Sequence, residues 1–104
     1  MDKDYESKGQ SFVMKSRAHV IFRGRVQGVF FRANTAEKAR DCGVFGYVRN
    51  LRDGSVEAIF EGEEELVKEL LNWCKTSQPF ARVDATEVTW GKSIDEFTDF
   101  EIRH

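Results

Sequence analysis

The stretch R-G-R-V-Q-G-V-F-F-R, from Arg23 to Arg32, gathers three arginines and two glycines with no acid and no proline. It follows a β-branched, aromatic run and precedes a helix-like one. The first N–H groups of a helix lack intrahelical partners, and the helix start carries a partial positive charge. Glycines just before it let the backbone curl until several N–H groups converge, an arrangement suited to an anion. Gly24 and Gly28 supply that freedom, and without proline every peptide N–H of the stretch is a donor. Arg32, in the expected first turn, adds a planar fork that matches phosphate oxygens. Together these residues suit a small, phosphate-sized anion. Residue type alone also fits a plain strand-to-helix connection with solvated arginines.

Other chemistries are less well served. The spacing G-x-x-x-G lacks the Lys-Ser/Thr ending of a Walker A loop, and G-x-G-x-x-G is absent as well. His19 and His104 stand without paired ligand spacing, so neither a metal nor another cofactor is expected. No His, Asp or Glu lies inside the loop to act as an acid or base.

The elements that must position this loop are marked by period and by stop signals. Ala18 to Arg23 reads A-H-V-I-F-R, a strand pattern. A helix is expected over residues 31–42, with Ala33, Ala36, Ala39 and Cys42 at every third position and Gly43 suited to a left-handed cap. A second strand over 44–51 leads into the turn Arg52-Asp53-Gly54. The third, over 55–61, sets Val56, Ala58 and Phe60 against Glu57, Ile59 and Glu61. A second helix over 63–76 carries the stripe Leu66, Val67, Leu70, Leu71 and Cys74, with Glu63, Glu64 and Glu65 at its positive end. Strands over 85–92 and 100–102 complete the chain. The order β-α-β-β-α-β predicts an α+β, ferredoxin-like sandwich: a mostly antiparallel sheet, both helices on one face, and a short terminal strand.

A length of 104 residues suits one domain with a modest core. Residues 1–17, polar and with little pattern, are expected to form a flexible tail before a domain over 18–104. The net charge is −2, yet residues 17–36 carry four arginines and no acid. Such a balance argues against a general polyanion binder, and the positive charge is local. Cys42 and Cys74 could form one disulfide, but each falls on a helical pattern that favours two reduced, packed thiols. No 18-residue apolar run and no signal-peptide pattern occurs, so a cytoplasmic protein without membrane contact is expected.

Placed on these elements, G-R-V-Q-G-V-F-F-R, then T-A-E-K-A at 35–39 and G-Y-V-R-N-L-R-D-G-S-V-E-A at 46–58, resemble the acylphosphatase family. E-G at 61–62, A-R-V at 81–83 and F-x-I at 100–102 extend the resemblance from about His19 to Ile102. It implies the same ferredoxin-like fold and the hydrolysis of acyl phosphates to carboxylate and inorganic phosphate. It carries the family's phosphate-binding arginine onto Arg32 and its water-positioning asparagine onto Asn50. The phosphate cradle falls on the backbone of Gly24, Arg25, Val26, Gln27, Gly28, Val29 and Phe30. A small acyl phosphate is then the substrate, with inorganic phosphate or sulfate as ligands of the same site and a monomer as the default state. The family's Gly-Pro pair after the second helix is replaced by Ser77-Gln78-Pro79, and the N-terminal tail lies outside the resemblance.

The remaining candidates read as structural. Arg23 and Arg25 are expected at the periphery, Arg49 as an exposed strand residue, and His19, mid-strand, as a packed or partly exposed structural residue. Phe30, Phe31, Phe45, Tyr47 and Phe60 are expected as core or pocket wall. RNA-recognition modules share the β-α-β-β-α-β order, but their third strand is basic and aromatic, whereas this one reads S-V-E-A-I-F-E. Nucleic acid is therefore not an expected partner.

Overall fold

The computed structural model describes residues 14–104, so most of the expected tail lies outside the described residues. Strand β1 spans Lys15–Arg25, α1 Phe31–Cys42, β2 Phe45–Asn50, β3 Val56–Glu63, α2 Glu64–Thr76, β4 Arg82–Lys92 and β5 Phe100–Arg103. The sheet order is β4-β1-β3-β2-β5. β1 is antiparallel to both neighbours and β2 is antiparallel to β3, while β5 joins β2 in parallel. This is the ferredoxin-like α+β architecture that the order of elements predicts.

One consequence of the pairing governs the site. Because β1 and β2 both run against β3, and β5 runs with β2, the carboxyl ends of β1, β2 and β5 lie at one edge of the sheet. The β1–α1 loop leaves from that edge, Asn50 ends β2 there, and Ile102 to His104 arrive there.

The core fills the space between sheet and helices. Phe22, Phe31, Phe60 and Phe100 are fully buried, with ring centroids 5.1 Å apart for Phe22–Phe31 and 6.0 Å for Phe60–Phe100. Each such ring contributes roughly 1.5–3 kcal/mol through burial. Val67, Leu70, Leu71 and Cys74 form the buried stripe of α2, with Leu66 half-buried beside it. Gly43 ends α1 at φ 72°, as expected of a left-handed cap.

Three expectations need correction. Ala33 is exposed: α1 buries Phe31, Thr35, Ala36 and Ala39, because a turn of about 3.6 residues carries an every-third pattern off the face. β1 begins at Lys15, ahead of the expected Ala18, so a tail ending at residue 17 would cut into the strand. Ser16 and Arg17 pair with Gly62 and Glu61 on β3, and the Ser16 hydroxyl donates to Glu64 at 2.8 Å. The supposed outer residues Ile59 and Glu61 are only 5% and 2% exposed. The segment after β4 folds over that end of the sheet, and Glu61 accepts the N–H groups of Ile94 (2.7 Å) and Glu96 (3.1 Å). Burial pushes the Glu61 carboxyl up, but these bonds and Arg17 outweigh it and hold it below its ordinary value.

Candidate active site

Gly24 and Arg25 belong to β1 and pair with Val83 and Arg82. A bulge precedes Gly24, where φ is 131° and a Cβ would lie 2.3 Å from the Arg82 carbonyl oxygen. Only glycine allows β4 to come so close. Gly28 has a different requirement: open space surrounds it, but its φ of 76° turns the chain toward α1. Phe30 follows at φ 63°, ψ 22°, in the left-handed region, as the residue that caps the helix. The first helical bond then runs from the Asn34 N–H to the Phe30 carbonyl at 3.0 Å. Within the helix, the N–H groups of Phe31, Arg32 and Ala33 have no acceptor one turn back.

These turns open a cleft of about 400 Å³, lined by Gly28, Phe30, Arg32, Asn50, Ile102 and His104, with Val26, Phe31 and Ala33 also on its wall. Arg32 and Asn50, eighteen positions apart in sequence, are thus brought into one cleft. Of the predicted cradle, Val26, Gly28 and Phe30 line it, while Val29 is buried in the core beside it. The Gln27 side chain points elsewhere. Its amide donates to the carbonyls of Leu51 and Ser55, both at 2.8 Å, and fastens the loop to the turn that follows Asn50.

Arg32 makes no ion pair among the described residues. Its Nη1 donates to the Arg103 carbonyl at 3.1 Å and to Nδ1 of His104 at 3.2 Å, the latter requiring an unprotonated nitrogen. The guanidinium is held at the cleft by a carbonyl oxygen and an imidazole nitrogen, and none of the described carboxylate side chains pairs with it. The other arginines of the opening stretch differ. Arg23 pairs with Glu87 (2.9 Å) and Asp53 (3.3 Å), which push its pKa up, and Arg25 is exposed at the end of β1. Both are peripheral, as expected.

His19, Arg49 and Tyr47 converge on Glu57 instead, at 2.8, 2.6 and 3.2 Å, on the face of the sheet away from the helices. Burial raises the Glu57 carboxyl, but the bonds from His19 and Arg49 win and hold it below its ordinary value. Phe31 and Phe60 are core and Phe30 is cleft wall, whereas Phe45 is exposed. Both cysteines are free thiols; burial pushes Cys74 to about 11, which keeps it protonated and unreactive at neutral pH. Among the described residues no cluster of three or more His, Cys, Asp or Glu is gathered. No described helix is long and apolar enough to cross a membrane.

A family model for acylphosphatase matches residues 18–102. The chain belongs to the acylphosphatase family. Members of that family hydrolyse acyl phosphates. The acylphosphatase of Roseiflexus sp. (strain RS-1) is 51% identical over 87 residues, covering 84% of this chain and 94% of that protein. The acylphosphatase of Haloquadratum walsbyi is 53% identical over 85 residues, covering 80% and 91%. Among solved structures, acylphosphatase from Bacillus subtilis superposes with a TM-score of 0.82 at 32% identity, over 86% of this chain and 99% of that one.

Within this acylphosphatase frame, Ser77-Gln78-Pro79 takes up a supporting position. Gln78 is buried, and its amide donates to Thr35 Oγ1 at 2.6 Å and to the Phe31 carbonyl at 3.3 Å, bracing the turn that carries Arg32. The sequence pattern missed His104 and Ile102 at the cleft and the bracing role of the Gln27 side chain. His104 lies 72 positions from the arginine it meets, and only the parallel pairing of β5 with β2 brings it there.

Proposed function

We propose that this cleft hydrolyses acyl phosphates by holding the phosphoryl group and directing a water, without a metal or a general acid. The loop N–H groups from Gly24 to Phe30, those of the first turn of α1, and the Arg32 guanidinium bind the phosphoryl oxygens. They stabilise the charge that redistributes over those oxygens in the transition state. Asn50 accepts a hydrogen bond from the attacking water and fixes its line to phosphorus. The water oxygen bonds to phosphorus and the P–O bond to the acyl group breaks. The carboxylate departs with the bonding pair, and the hydrogens of the water remain on inorganic phosphate. The leaving carboxylate has a conjugate acid of pKa about 4, so it needs no proton to depart.

The observation that carries this reading is an Arg32 guanidinium that pairs with no described carboxylate side chain, in one cleft with Asn50 and the opening of α1. We take the working protein to be a cytoplasmic monomer whose folded domain includes β1 from Lys15 onward, and the two free thiols support a reducing compartment. The test is hydrolysis of benzoyl phosphate by the purified chain, in chelator, with inorganic phosphate followed by amide NMR. Turnover that survives the chelator, with phosphate-induced shifts confined to residues 24–33 and Asn50, supports the reading. No turnover, or shifts located elsewhere, would refute it.

A further inference from the structure

Phe30 combines two features that ordinarily exclude each other. Its backbone sits at φ 63°, a region that suits glycine or asparagine and is a rarity for a bulky side chain. Its ring is nevertheless 72% exposed, so no core contact accounts for a phenylalanine at this position. The turn explains the backbone, since the left-handed residue ends the loop and starts α1. It does not explain the ring. Phe30 is one of the residues that line the cleft, together with Val26, Ala33 and Ile102.

The cleft also offers more room than a phosphoryl group fills, at a volume typical of small-molecule sites. Its charged and polar side chains are Arg32, Asn50 and His104, and none of the described side chains that line it is a carboxylate. Once Arg32 holds the phosphoryl group, no second Lys or Arg among the described residues lines the cleft to receive a carboxylate on the acyl part. The surface left for that part is apolar and aromatic.

We propose that Phe30 and Ile102 form an acyl subsite that selects acyl phosphates with a flat, uncharged, aromatic acyl group over short aliphatic ones. The subsite rests on the reading that this cleft is where acyl phosphates are cleaved. A flat acyl group lies against the Phe30 ring, where offset stacking adds to the burial of apolar surface. The Ile102 side chain, on β5, forms a further part of the same wall.

The test is the ratio of kcat/KM for benzoyl phosphate to that for acetyl phosphate, compared between the wild-type chain and variants. Comparing ratios between proteins cancels the intrinsic reactivities of the two substrates. Phe30→Asn keeps a residue that accepts the left-handed backbone and removes the ring. It is expected to lower the ratio by about 5- to 10-fold, with Phe30→Leu in between. The inhibition constant of inorganic phosphate, which reads the cradle, is expected to move less than the ratio. Ile102→Thr keeps a β-branched strand residue and stands in should Phe30→Asn fail to fold; it is expected to lower the ratio roughly 2- to 4-fold. Ratios within two-fold of wild type in every folded variant would overturn the subsite while leaving the hydrolysis intact. A wild-type chain that cleaves neither substrate would overturn the parent reading, and the subsite with it.

Discussion

Two regions of this molecule collect arginine, and they treat its charge in opposite ways. On the helix-free face of the sheet, Arg17 meets Glu61 and Glu96, and Arg49 meets Glu57, each within hydrogen-bond reach. Glu57 is half-buried and Glu61 buried, and their neighbours hold the pKa values of both down, while Glu96 stays exposed. In the cleft, Arg32 is fixed by a carbonyl and an imidazole nitrogen, which orient it without cancelling its charge. The face is a closed electrostatic arrangement that stabilises the fold. The cleft is an open one, which the proposed phosphoryl ligand would complete.

The comparison predicts crossed effects. Replacing Arg32 by Ala is expected to lower kcat/KM for benzoyl phosphate by at least about 10³-fold, the scale of an arginine that acts on a phosphoryl transition state. Its melting temperature should stay close to wild type, because no described carboxylate loses a partner. Arg49→Ala should do the reverse: it strips a charge partner from Glu57 and lowers the melting temperature, while kcat is kept. Parallel turnover and thermal-melt measurements on both variants check the crossing. If both lose stability or both lose turnover, the division between the regions breaks down.

A smaller effect is expected at Glu61. Replacing it by Ala leaves the N–H groups of Ile94 and Glu96 without their acceptor and should cost roughly 1–3 kcal/mol in urea unfolding. The loss should come with little change in KM, since Glu61 is not among the residues that line the cleft.

The smallest effect is in pH. Glu57 and Glu61 have folded values below their ordinary 4.5, so their stabilising contribution is complete above that pH. It is lost as pH falls through the lower folded values. The melting temperature should therefore hold from neutral pH to about 5 and drop below 4.5, and Glu61→Gln should flatten the drop. A Glu61→Gln curve as steep as wild type would remove Glu61 from the account.

The same division separates what the sequence made legible from what it concealed. The loop, Arg32 and the seven elements announced themselves because each is specified locally: glycines at the turn, a period in each helix and strand, a glycine after α1. Asn50 entered through the likeness of G-Y-V-R-N-L-R-D-G to a known family, since an asparagine before a turn is common. Glu61 looked like an outward strand residue because its burial depends on the segment after β4 folding back some thirty positions later. Residues 15–17 looked like tail because their strand character comes from β3 and β4, not from their own side chains. His104 and Ile102 stayed invisible for the same reason. Sequence reports the elements well, and reports poorly any contact that only the assembled sheet creates.

The most direct test of the central claim uses Asn50→Ala, reading kcat for benzoyl phosphate and the inhibition constant of inorganic phosphate from the same preparation. If the backbone and Arg32 hold the phosphoryl group while Asn50 directs the water, kcat falls on the order of 10²-fold and the phosphate constant stays near wild type. A variant that keeps wild-type kcat, or that loses phosphate binding along with turnover, would contradict that account.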